Sequence, residues 1–336
     1  MDRAALKKAI KIGSVEITDP VILAPMSGVS DLPFRRLVKG QGAGLVVSEM
    51  IASQAMIRAN RKTLKMASNC AEEHPMAVQL AGCEPEVMAE AAKLNEDRGA
   101  AIIDINMGCP VKKVVNGHAG SALMREEDKA ARILEATVKA VKVPVTLKMR
   151  TGWDDNSRNA PRLARIAQDV GIKMITVHGR TRCQFYKGHA DWDFIARVKE
   201  AVDLPVIANG DVTTFEDVDE ILEKSNADGV MIGRGTYGRP WFLRQVIEFL
   251  RTGKRTGPPP LTEQYGLMRG HYEEMLHHYG AVPGMRMARK HLGWYTKGLP
   301  KSAEFRAKVN GIAEPETVFE IIDSFYRPLC ETEAAA

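Results

Sequence analysis

Short apolar runs alternate with longer segments of helical period along the first 240 residues of the chain. Eight such runs occupy residues 21–23, 44–47, 76–79, 102–105, 145–148, 174–177, 206–208 and 229–232. Strands that alternate with helices form parallel sheets, and eight consecutive units are the number that closes a barrel. A doubly wound sheet is the alternative, but eight units with no strand left over favour closure. The pattern therefore predicts an α/β fold with a (β/α)8 TIM barrel.

The segments between the runs, and the end of the chain, have helical character. Helices are predicted at residues 86–97, 127–141, 161–170, 194–202, 217–224, 263–279, 285–297 and 315–329. Three consecutive prolines, Pro258 to Pro260, cannot continue a helix and mark a spacer. We therefore predict a barrel over residues 1–242, a linker region over 243–260 and a small all-helical C-terminal domain over 261–336.

Composition narrows the class of protein. Hydrophobic residues at 45% and charged residues at 26% of 336 match a globular protein and exclude disordered and collagen-like chains. No apolar run approaches the roughly 20 residues that span a bilayer, so we expect no membrane partner. Residues 1–11 contain neither an apolar core nor a cleavage site, so we expect no secretory signal and a cytoplasmic location.

The cysteines and the net charge add little that is specific. The chain has five cysteines, at Cys70, Cys83, Cys109, Cys183 and Cys330. Their odd number and the absence of a C-x-x-C pair argue against a disulfide framework and a zinc site, so we expect reduced thiols and no metal. The net charge of +5 does not by itself identify a nucleic-acid-binding protein.

Polar residues follow the predicted strands, at the end where a parallel barrel carries its active site. Gln79, Asn106, Lys148 and His178 belong to strands three to six and are expected to point into the barrel mouth together. Amides, a cation and an imidazole suit the edge of a flat heterocycle, and a fixed positive charge stabilises the anionic reduced ring of a flavin. Two alternatives remain open: Lys148 could pair with a barrel carboxylate such as Asp104, and His178 could be a core histidine.

Glycines follow the last two strands. The two segments are Asn209, Gly210 and Asp211, and Gly233, Arg234 and Gly235. Because backbone amides after strands seven and eight commonly bind phosphate in barrels, we predict a ligand that carries one. Gly233, Gly235 and Gly238 also fit G-x-G-x-x-G, but a Rossmann site needs this motif in the first βα turn and an acidic residue at the next strand end. Here a proline spacer and helices follow, so we reject that interpretation.

Cys109 differs from the other cysteines because it begins a loop after a strand and precedes Pro110. An ordinary thiol, with a pKa of about 8.5, is mostly protonated at neutral pH, which suits a proton donor. The other four cysteines are interpreted as small buried hydrophobic residues.

Several motifs together resemble those of the flavin-dependent tRNA-dihydrouridine synthases, most closely the bacterial B subfamily. They lie at residues 25–35 (PMSGVSDLPFR), 104–110 (DINMGCP), 148–153 (KMRTGW), 178–182 (HGRTR), 207–211 (IANGD) and 231–234 (MIGR). The resemblance runs nearly from end to end. It implies an FMN-binding barrel, a helical tRNA-binding domain, and reduction of particular tRNA uridines with NADPH or NADH as the reductant.

The resemblance also implies roles for residues. Those implied to contact FMN are Pro25, Met26, Ser27, Gln79, Lys148, His178, Asn209, Gly210, Asp211, Gly233 and Arg234. Asn106 joins this cofactor set by its place beside Gln79 and Lys148. Cys109 is implied to protonate C5 of a uracil while the reduced flavin passes hydride to C6. That base must first leave the stacked RNA.

Basic residues near the mouth and in the tail are candidate tRNA contacts. Arg150, Arg180 and Arg182 lie on the predicted rim, where solvated cations are an equally good interpretation. Between residues 286 and 308 there are seven Lys or Arg and one acid. The basic stripe predicted on one helix face consists of Arg286, Arg289, Lys290 and Lys297, with an ordinary solvated face as the alternative.

Two other functions compete with this one. A flavin barrel acting on a free pyrimidine, or on another small unsaturated substrate, would share the cofactor site but would not need the basic tail. A non-catalytic RNA-binding protein would keep the fold without the flavin. No feature of the sequence points to an obligatory protein partner.

Overall fold

A computed structural model of the chain describes residues 9–58, 65–68 and 71–335. Two short antiparallel strands come first, β1 (Ile10–Ile12) and β2 (Val15–Ile17). The other strands are β3 (Val21–Leu23), β4 (Leu45–Val47), β5 (Ile51–Ala52), β6 (Met76–Ala81), β7 (Ile102–Met107), β8 (Val145–Arg150), β9 (Ile175–His178), β10 (Val206–Asn209) and β11 (Gly229–Ile232). Each of the eight predicted runs therefore overlaps a strand.

Parallel pairing closes the sheet into an eight-stranded barrel. The strand order is β4-β3-β11-β10-β9-β8-β7-β6, and β4 also pairs with β6, where Val46 lies opposite Met76. The strand β5 is a two-residue extension beside the end of β6. The predicted barrel is thus confirmed.

Alternation along the strands explains how the barrel is filled. In β3, Val21 and Leu23 pack in the layer between strands and helices, whereas Ile22 belongs to a second apolar cluster inside the barrel. Ile12 and Ile17 of the β1–β2 hairpin join that inner cluster, so the hairpin closes the bottom of the barrel. Polar residues at the opposite, C-terminal ends of the strands are left to form the mouth.

The helices of the barrel region surround the sheet. They are Leu32–Gly40, Ser53–Ile57, Pro85–Glu96, Lys112–Val115, Glu127–Ala140, Ala160–Asp169, Trp192–Lys199, Phe215–Ser225 and Phe242–Thr252, with 3₁₀ turns at Ala71–Glu73, Gly120–Arg125 and Arg234–Thr236. Four further helices end the chain: Leu261–Tyr279, Ala281–Tyr295, Ser302–Gly311 and Pro315–Ala334. The first hairpin and the helices Leu32–Gly40, Ser53–Ile57, Lys112–Val115, Phe242–Thr252 and Ser302–Gly311 are not among the predicted elements.

The predicted linker region of residues 243–260 is wrong over its first ten residues. They belong to the helix Phe242–Thr252, which buries Phe242, Val246 and Phe249 in the layer around the sheet. Apolar residues there recur every three or four positions, as an amphipathic helix requires. The helix ends where Gly253 adopts the left-handed conformation at φ 77°, so only residues 253–260 connect the barrel to the last four helices.

The last four helices, which we call the C-terminal helices, pack around an apolar cluster of their own that includes Tyr272, Leu292 and Tyr326. They also contact the barrel beside its mouth. The rings of Trp294 and Tyr237 stack at 4.0 Å with an interplanar angle of 9°. Tyr237 belongs to the loop that follows β11. The C-terminal helices therefore lie against a loop of the predicted active site.

Candidate active site at the barrel mouth

A cavity of about 880 Å³ opens at the C-terminal ends of the barrel strands. It is lined by predicted site residues from every quarter of the barrel: Pro25, Met26, Ser27, Gln79, Asn106, Cys109, Lys148, Arg150, His178, Arg180, Asn209, Gly210, Asp211, Gly233 and Arg234. The remaining predicted residues, Arg182, Arg286, Arg289, Lys290 and Lys297, are not part of its lining. All predicted cofactor residues and the predicted acid therefore share one cavity.

A chain of side-chain hydrogen bonds forms the floor of the cavity. Thr146 Oγ1 and Gln79 Nε2 donate to the two carboxylate oxygens of Asp104 at 2.6 and 2.7 Å. Asn106 Nδ2 donates to Gln79 Oε1 at 2.8 Å. Because a carboxylate accepts, Asp104 fixes which end of the Gln79 amide faces it, and Gln79 in turn orients Asn106.

Lys148 lies beside this chain without bonding to Asp104. Its Nζ donates to Asn209 Oδ1 at 3.0 Å, and Asn209 Nδ2 donates to the carbonyl of Met231 at 2.8 Å. Burial lowers the pKa of Lys148 to about 8, and the nearby Asp104 carboxylate opposes that shift. The cation is therefore held at the mouth by an amide and titrates close to physiological pH.

His178 is an uncharged ring in the same wall. Burial, and then the cations Arg150, Lys148 and Arg180, lower its pKa well below the usual 6.5. The ring packs against Gly210, where an added Cβ would lie 2.9 Å from His178 Cδ2 and 2.7 Å from Ala190 Cβ. Gly210 also has φ +126°, so both the space and the backbone favour glycine at this position.

Asn106 positions Cys109. Its Oδ1 accepts hydrogen bonds from the backbone N–H groups of Gly108 at 3.1 Å and Cys109 at 2.9 Å. On the other side, Ser121 Oγ donates to the Cys109 carbonyl at 2.8 Å. Burial raises the pKa of the Cys109 thiol, which keeps its proton at neutral pH. The loop therefore holds a protonated thiol at the edge of the cavity.

Arg150, predicted as a rim cation, is instead buried, with 1% of its surface exposed. Its Nε donates to the Gly108 carbonyl at 2.7 Å, and its Nη1 donates to the carbonyls of Thr181 and Phe185, both at 2.8 Å. The guanidinium thus joins the loop of Cys109 to the loop after β9. Its hydrogen bonds in the structure are thus made to backbone carbonyls of the two loops.

Arg180 is likewise buried at 1% exposure rather than on the rim. It forms a two-pronged ion pair with Asp211, at 2.8 and 2.6 Å, and also donates to the Gly188 carbonyl at 2.7 Å. Burial alone would raise the pKa of Asp211, but hydrogen bonds from Arg180 and from the Ala190 N–H outweigh it and leave the pKa lowered. Asp211 thus orders this wall through protein contacts.

Arg182 remains near the surface, outside the cavity. Its guanidinium lies 4.7 Å from the centre of the Trp153 ring, and Arg125 lies 3.8 Å from the same ring. These are cation–π distances. Of the three predicted rim arginines, Arg182 alone keeps a position from which it could meet a ligand outside the mouth.

The phosphate side of the cavity contains the predicted glycines and one exposed cation. Half of the Arg234 side chain is exposed, and its Nη2 pairs with Asp211 Oδ1 at 3.1 Å. An added Cβ at Gly233 would make ordinary van der Waals contacts, at 3.4 Å, with Ala24 Cβ and Met26 Sδ. Backbone and cation are thus brought together where a phosphate site was predicted.

Tyr186 lines the cavity but is not among the site residues predicted from the sequence. It is 56% exposed, and its ring lies 5.5 Å from the Arg150 guanidinium and 5.2 Å from that of Arg234. Phe185 before it has a positive φ of 53°, which is unusual for a bulky residue and marks a constrained loop. Tyr186 belongs to no recognisable sequence motif. The one available signal is that an aromatic residue occurs in the loop after β9, close to the strand end.

The four cations of the predicted basic stripe fall into two groups, two exposed and two half-buried. Arg286 and Lys297 are exposed. Arg289 is half-buried and donates to the Ile312 carbonyl at 2.7 Å, whereas Lys290 is half-buried and donates to the Gly28 carbonyl of the barrel. The four cations therefore do not form one free surface.

The structure also bears on the predictions for the cysteines, for a metal site and for membrane-spanning helices. Cys83 and Cys330 are half-buried and Cys183 is exposed, so the interpretation of Cys183 as a buried hydrophobic residue is wrong. Cys70 lies outside the described residues. Within those residues no cluster of three His, Cys, Asp or Glu side chains could hold a metal ion. None of the helices the structure describes is long and apolar enough to cross a membrane.

A family model and the relatives with high sequence identity all match the chain to dihydrouridine synthases. The family model described as dihydrouridine synthase (Dus) matches residues 22–328. A probable tRNA-dihydrouridine synthase of Rickettsia conorii is 59% identical over 324 residues, which are 96% of this chain and 98% of that protein. The tRNA-dihydrouridine synthase B of Xanthomonas axonopodis pv. citri is 50% identical over 320 residues, 95% of this chain and 96% of its own.

Solved structures match the fold at much lower identity. A morphinone reductase variant in complex with tetrahydroNAD superposes with a TM-score of 0.54 at 15% identity, covering 77% of this chain and 93% of its own. At that identity the likeness concerns the barrel fold.

Proposed function

The chain belongs to the dihydrouridine synthase family and is a tRNA-dihydrouridine synthase, and we propose that its barrel mouth binds FMN and that Cys109 supplies the proton for reduction of a uridine. The observation that carries the proposal is the meeting of Cys109, Lys148 and His178 in one cavity at the strand ends. The alternative of a non-catalytic RNA-binding protein does not require that arrangement.

The residues present fit a flavin. The cavity of about 880 Å³ is within the range of cofactor sites, and its floor offers amides from Gln79 and Asn106. Lys148 places a positive charge beside them, at the edge where a reduced ring would be anionic. The neutral His178 ring has its Nε2 3.4 Å from Arg180 Nη1, which can only donate, so its proton belongs on Nδ1 and the ring can offer a donor. This donor set matches the polar edge of a fused heterocycle.

The opposite side suits the phosphate of FMN. Arg234 and the backbone of Gly210, Gly233 and Gly235 meet there, after β10 and β11. Such glycine loops are the common phosphate site of TIM barrels. Asp211 is occupied by Arg180, so we assign it to holding this wall in shape around the cofactor.

Reduction of a C5=C6 double bond needs a hydride and a proton from different sources. The bound flavin, reduced by NADPH or NADH, would supply the hydride. The chain supplies the proton: the Cys109 thiol is protonated at neutral pH and is aimed by the Asn106 amide. The target base must leave the RNA stack to reach the cavity, and the exposed ring of Tyr186 offers it a face at the entrance.

Residues 261–336 are proposed as the tRNA-binding part. The exposed cation Arg286 lies on the C-terminal helix Ala281–Tyr295, and the exposed cation Lys297 lies in the turn after it. This helix packs beside the mouth, and Arg182 lies on the rim. Phosphate contacts of this kind orient a nucleic acid without reading its bases. A tRNA substrate also makes the cytoplasm the expected location.

Two measurements test the proposed function. The purified protein should show the absorption spectrum of oxidised flavin, and a colourless protein that takes up no added FMN would refute the cofactor. Cells that lack the gene should lose dihydrouridine at one or more tRNA positions and regain it with the wild-type gene. Unchanged dihydrouridine at every position would favour the alternative substrate, a free pyrimidine.

A further inference from the structure

The loop of residues 24–31, between β3 and the helix Leu32–Gly40, contains the proposed cofactor contacts Pro25, Met26 and Ser27. Within the loop, Ser30 Oγ accepts from the Met26 N–H at 2.8 Å. At the tip, Gly28 adopts a left-handed φ of +74°. Its N–H donates to Glu49, from the end of β4, and its carbonyl accepts from Lys290 of the C-terminal helices. Side chains from two parts of the chain thus hold the polar groups of Gly28.

Lys290 lies among buried carboxylates. Glu49 is 7% exposed and Asp31 is 3% exposed. Asp31 accepts from the Phe34 N–H at 3.1 Å and from the Tyr279 hydroxyl at 2.8 Å, so it also joins the barrel to the C-terminal helices. A buried charge that loses its partner is strongly destabilising. Removing Lys290 would therefore take a nearby positive charge away from the buried carboxylates of Glu49 and Asp31.

The titration of these groups agrees with the geometry. Burial raises the pKa of Asp31 to about 6, and the Glu49 charge adds to the rise. Burial also lowers the pKa of Lys290, while Asp31 and Glu49 oppose that shift. The Lys290 charge also contributes to the lowered pKa values of His271 and His291, for which burial is the largest cause, so both rings are uncharged at neutral pH.

The sequence suggests a different role for Lys290, as one of four cations that contact tRNA. Its position does not suit that role, because its Nζ bonds to the Gly28 carbonyl and the side chain is half-buried. Arg286, one helical turn earlier, is exposed and has the free position that an RNA contact needs. The two cations therefore differ in what they can touch.

We infer that Lys290 is a positioning residue through which the C-terminal helices hold the cofactor-binding loop of the barrel. The inference rests on the proposed FMN site. It makes the helices part of the cofactor site, in addition to their proposed tRNA-binding role.

The test compares Lys290→Met with Arg286→Met, a matched change on the same helix. The first readout needs no flavin: hydrogen exchange of the backbone amides of residues 24–31 in the apoprotein. We expect faster exchange in Lys290→Met than in wild type and no change in Arg286→Met. Equal exchange in all three proteins would overturn the inference.

The second readout is the affinity for FMN, measured by fluorescence titration without tRNA or NADPH. The loss of a hydrogen bond from a charged donor should weaken FMN binding roughly tenfold in Lys290→Met. Arg286→Met should bind FMN normally and tRNA more weakly. If Lys290→Met weakens tRNA binding and leaves FMN affinity unchanged, Lys290 is an RNA contact and the inference is wrong.

Failure of the inference can be told from failure of the proposed function. A wild-type protein that binds no FMN refutes the function, whereas the exchange of residues 24–31 still tests the contact itself. Should Lys290→Met fail to fold, Lys290→Gln, whose shorter side chain loses both the charge and the reach to the Gly28 carbonyl, is measured in the same two ways. Normal exchange and normal FMN affinity in that variant would also overturn the inference.

Discussion

Replacement of Arg150 by lysine tests the role of this side chain as a buried connector. In the structure one guanidinium donates three hydrogen bonds, to the carbonyls of Gly108, Thr181 and Phe185, at 2.7 to 2.8 Å. A lysine has a single nitrogen on a flexible stem and cannot reproduce the planar fork. Arg150→Lys should leave at least two of these carbonyls without their partner; Thr181 is buried, and Gly108 and Phe185 are half-buried.

The expected magnitude follows from those lost bonds. Each buried acceptor left unpaired costs about 1 to 3 kcal/mol, so Arg150→Lys should lower the free energy of unfolding by roughly 2 to 5 kcal/mol. The assay is urea unfolding of the apoprotein, followed by circular dichroism. Arg182→Lys is the control, because Arg182 stacks on Trp153 near the surface and should cost less than about 1 kcal/mol.

An unfolding free energy within about 0.5 kcal/mol of wild type for Arg150→Lys would refute this reasoning. It would mean that Arg150 is a solvated or RNA-binding cation, for which lysine is a fair substitute. The three hydrogen bonds to carbonyls would then contribute nothing measurable to the free energy of unfolding.

Two further predictions concern charge. Because burial lowers the pKa of Lys148 to about 8, its positive charge is lost as the pH rises through 8, and FMN affinity should fall over that range. Lys148→Met should bind FMN weakly, with an affinity that does not change over the same range. A pH dependence of FMN affinity in the variant identical to that of wild type would contradict this. Asp211 has a lowered pKa in the folded state, so its contribution to stability is present above its unfolded pKa of about 3.9 and is lost as the pH falls through the folded value. Asp211→Asn should leave the buried Arg180 without its charged partner and cost roughly 3 to 5 kcal/mol in urea unfolding at pH 7. The difference from wild type should narrow under acid conditions, and a difference that stays constant with pH would argue against the ion pair.

The strands could be predicted from the sequence because their burial is dictated by the barrel itself. A run such as residues 21–23 (VIL) is apolar on both faces, since one face meets the helices and the other the barrel interior. The candidate site was predicted from the same rule, because residues at and just after the C-terminal ends of the strands meet at one end of the barrel. Gln79, Cys109 and Lys148 were found in this way.

The direction of a side chain could not be predicted in the same way. Arg150 and Arg180 stand where rim residues stand, yet their partners are carbonyls and a carboxylate supplied by loops distant in sequence. Lys290 and Arg286 differ by one helical turn, and what separates them is the barrel loop that touches only Lys290. Such contacts are set by tertiary packing, for which local periodicity gives no signal.

The central claim, that Cys109 protonates the base at the barrel mouth, is tested most directly by a single-turnover experiment. Wild type and Cys109→Ala, matched for flavin content and fully reduced, are mixed with tRNA that lacks dihydrouridine, and oxidation of the flavin is followed by its absorbance. The account predicts that loss of the proton donor slows this oxidation by roughly 10²-fold or more. Oxidation of the variant at the wild-type rate would contradict it.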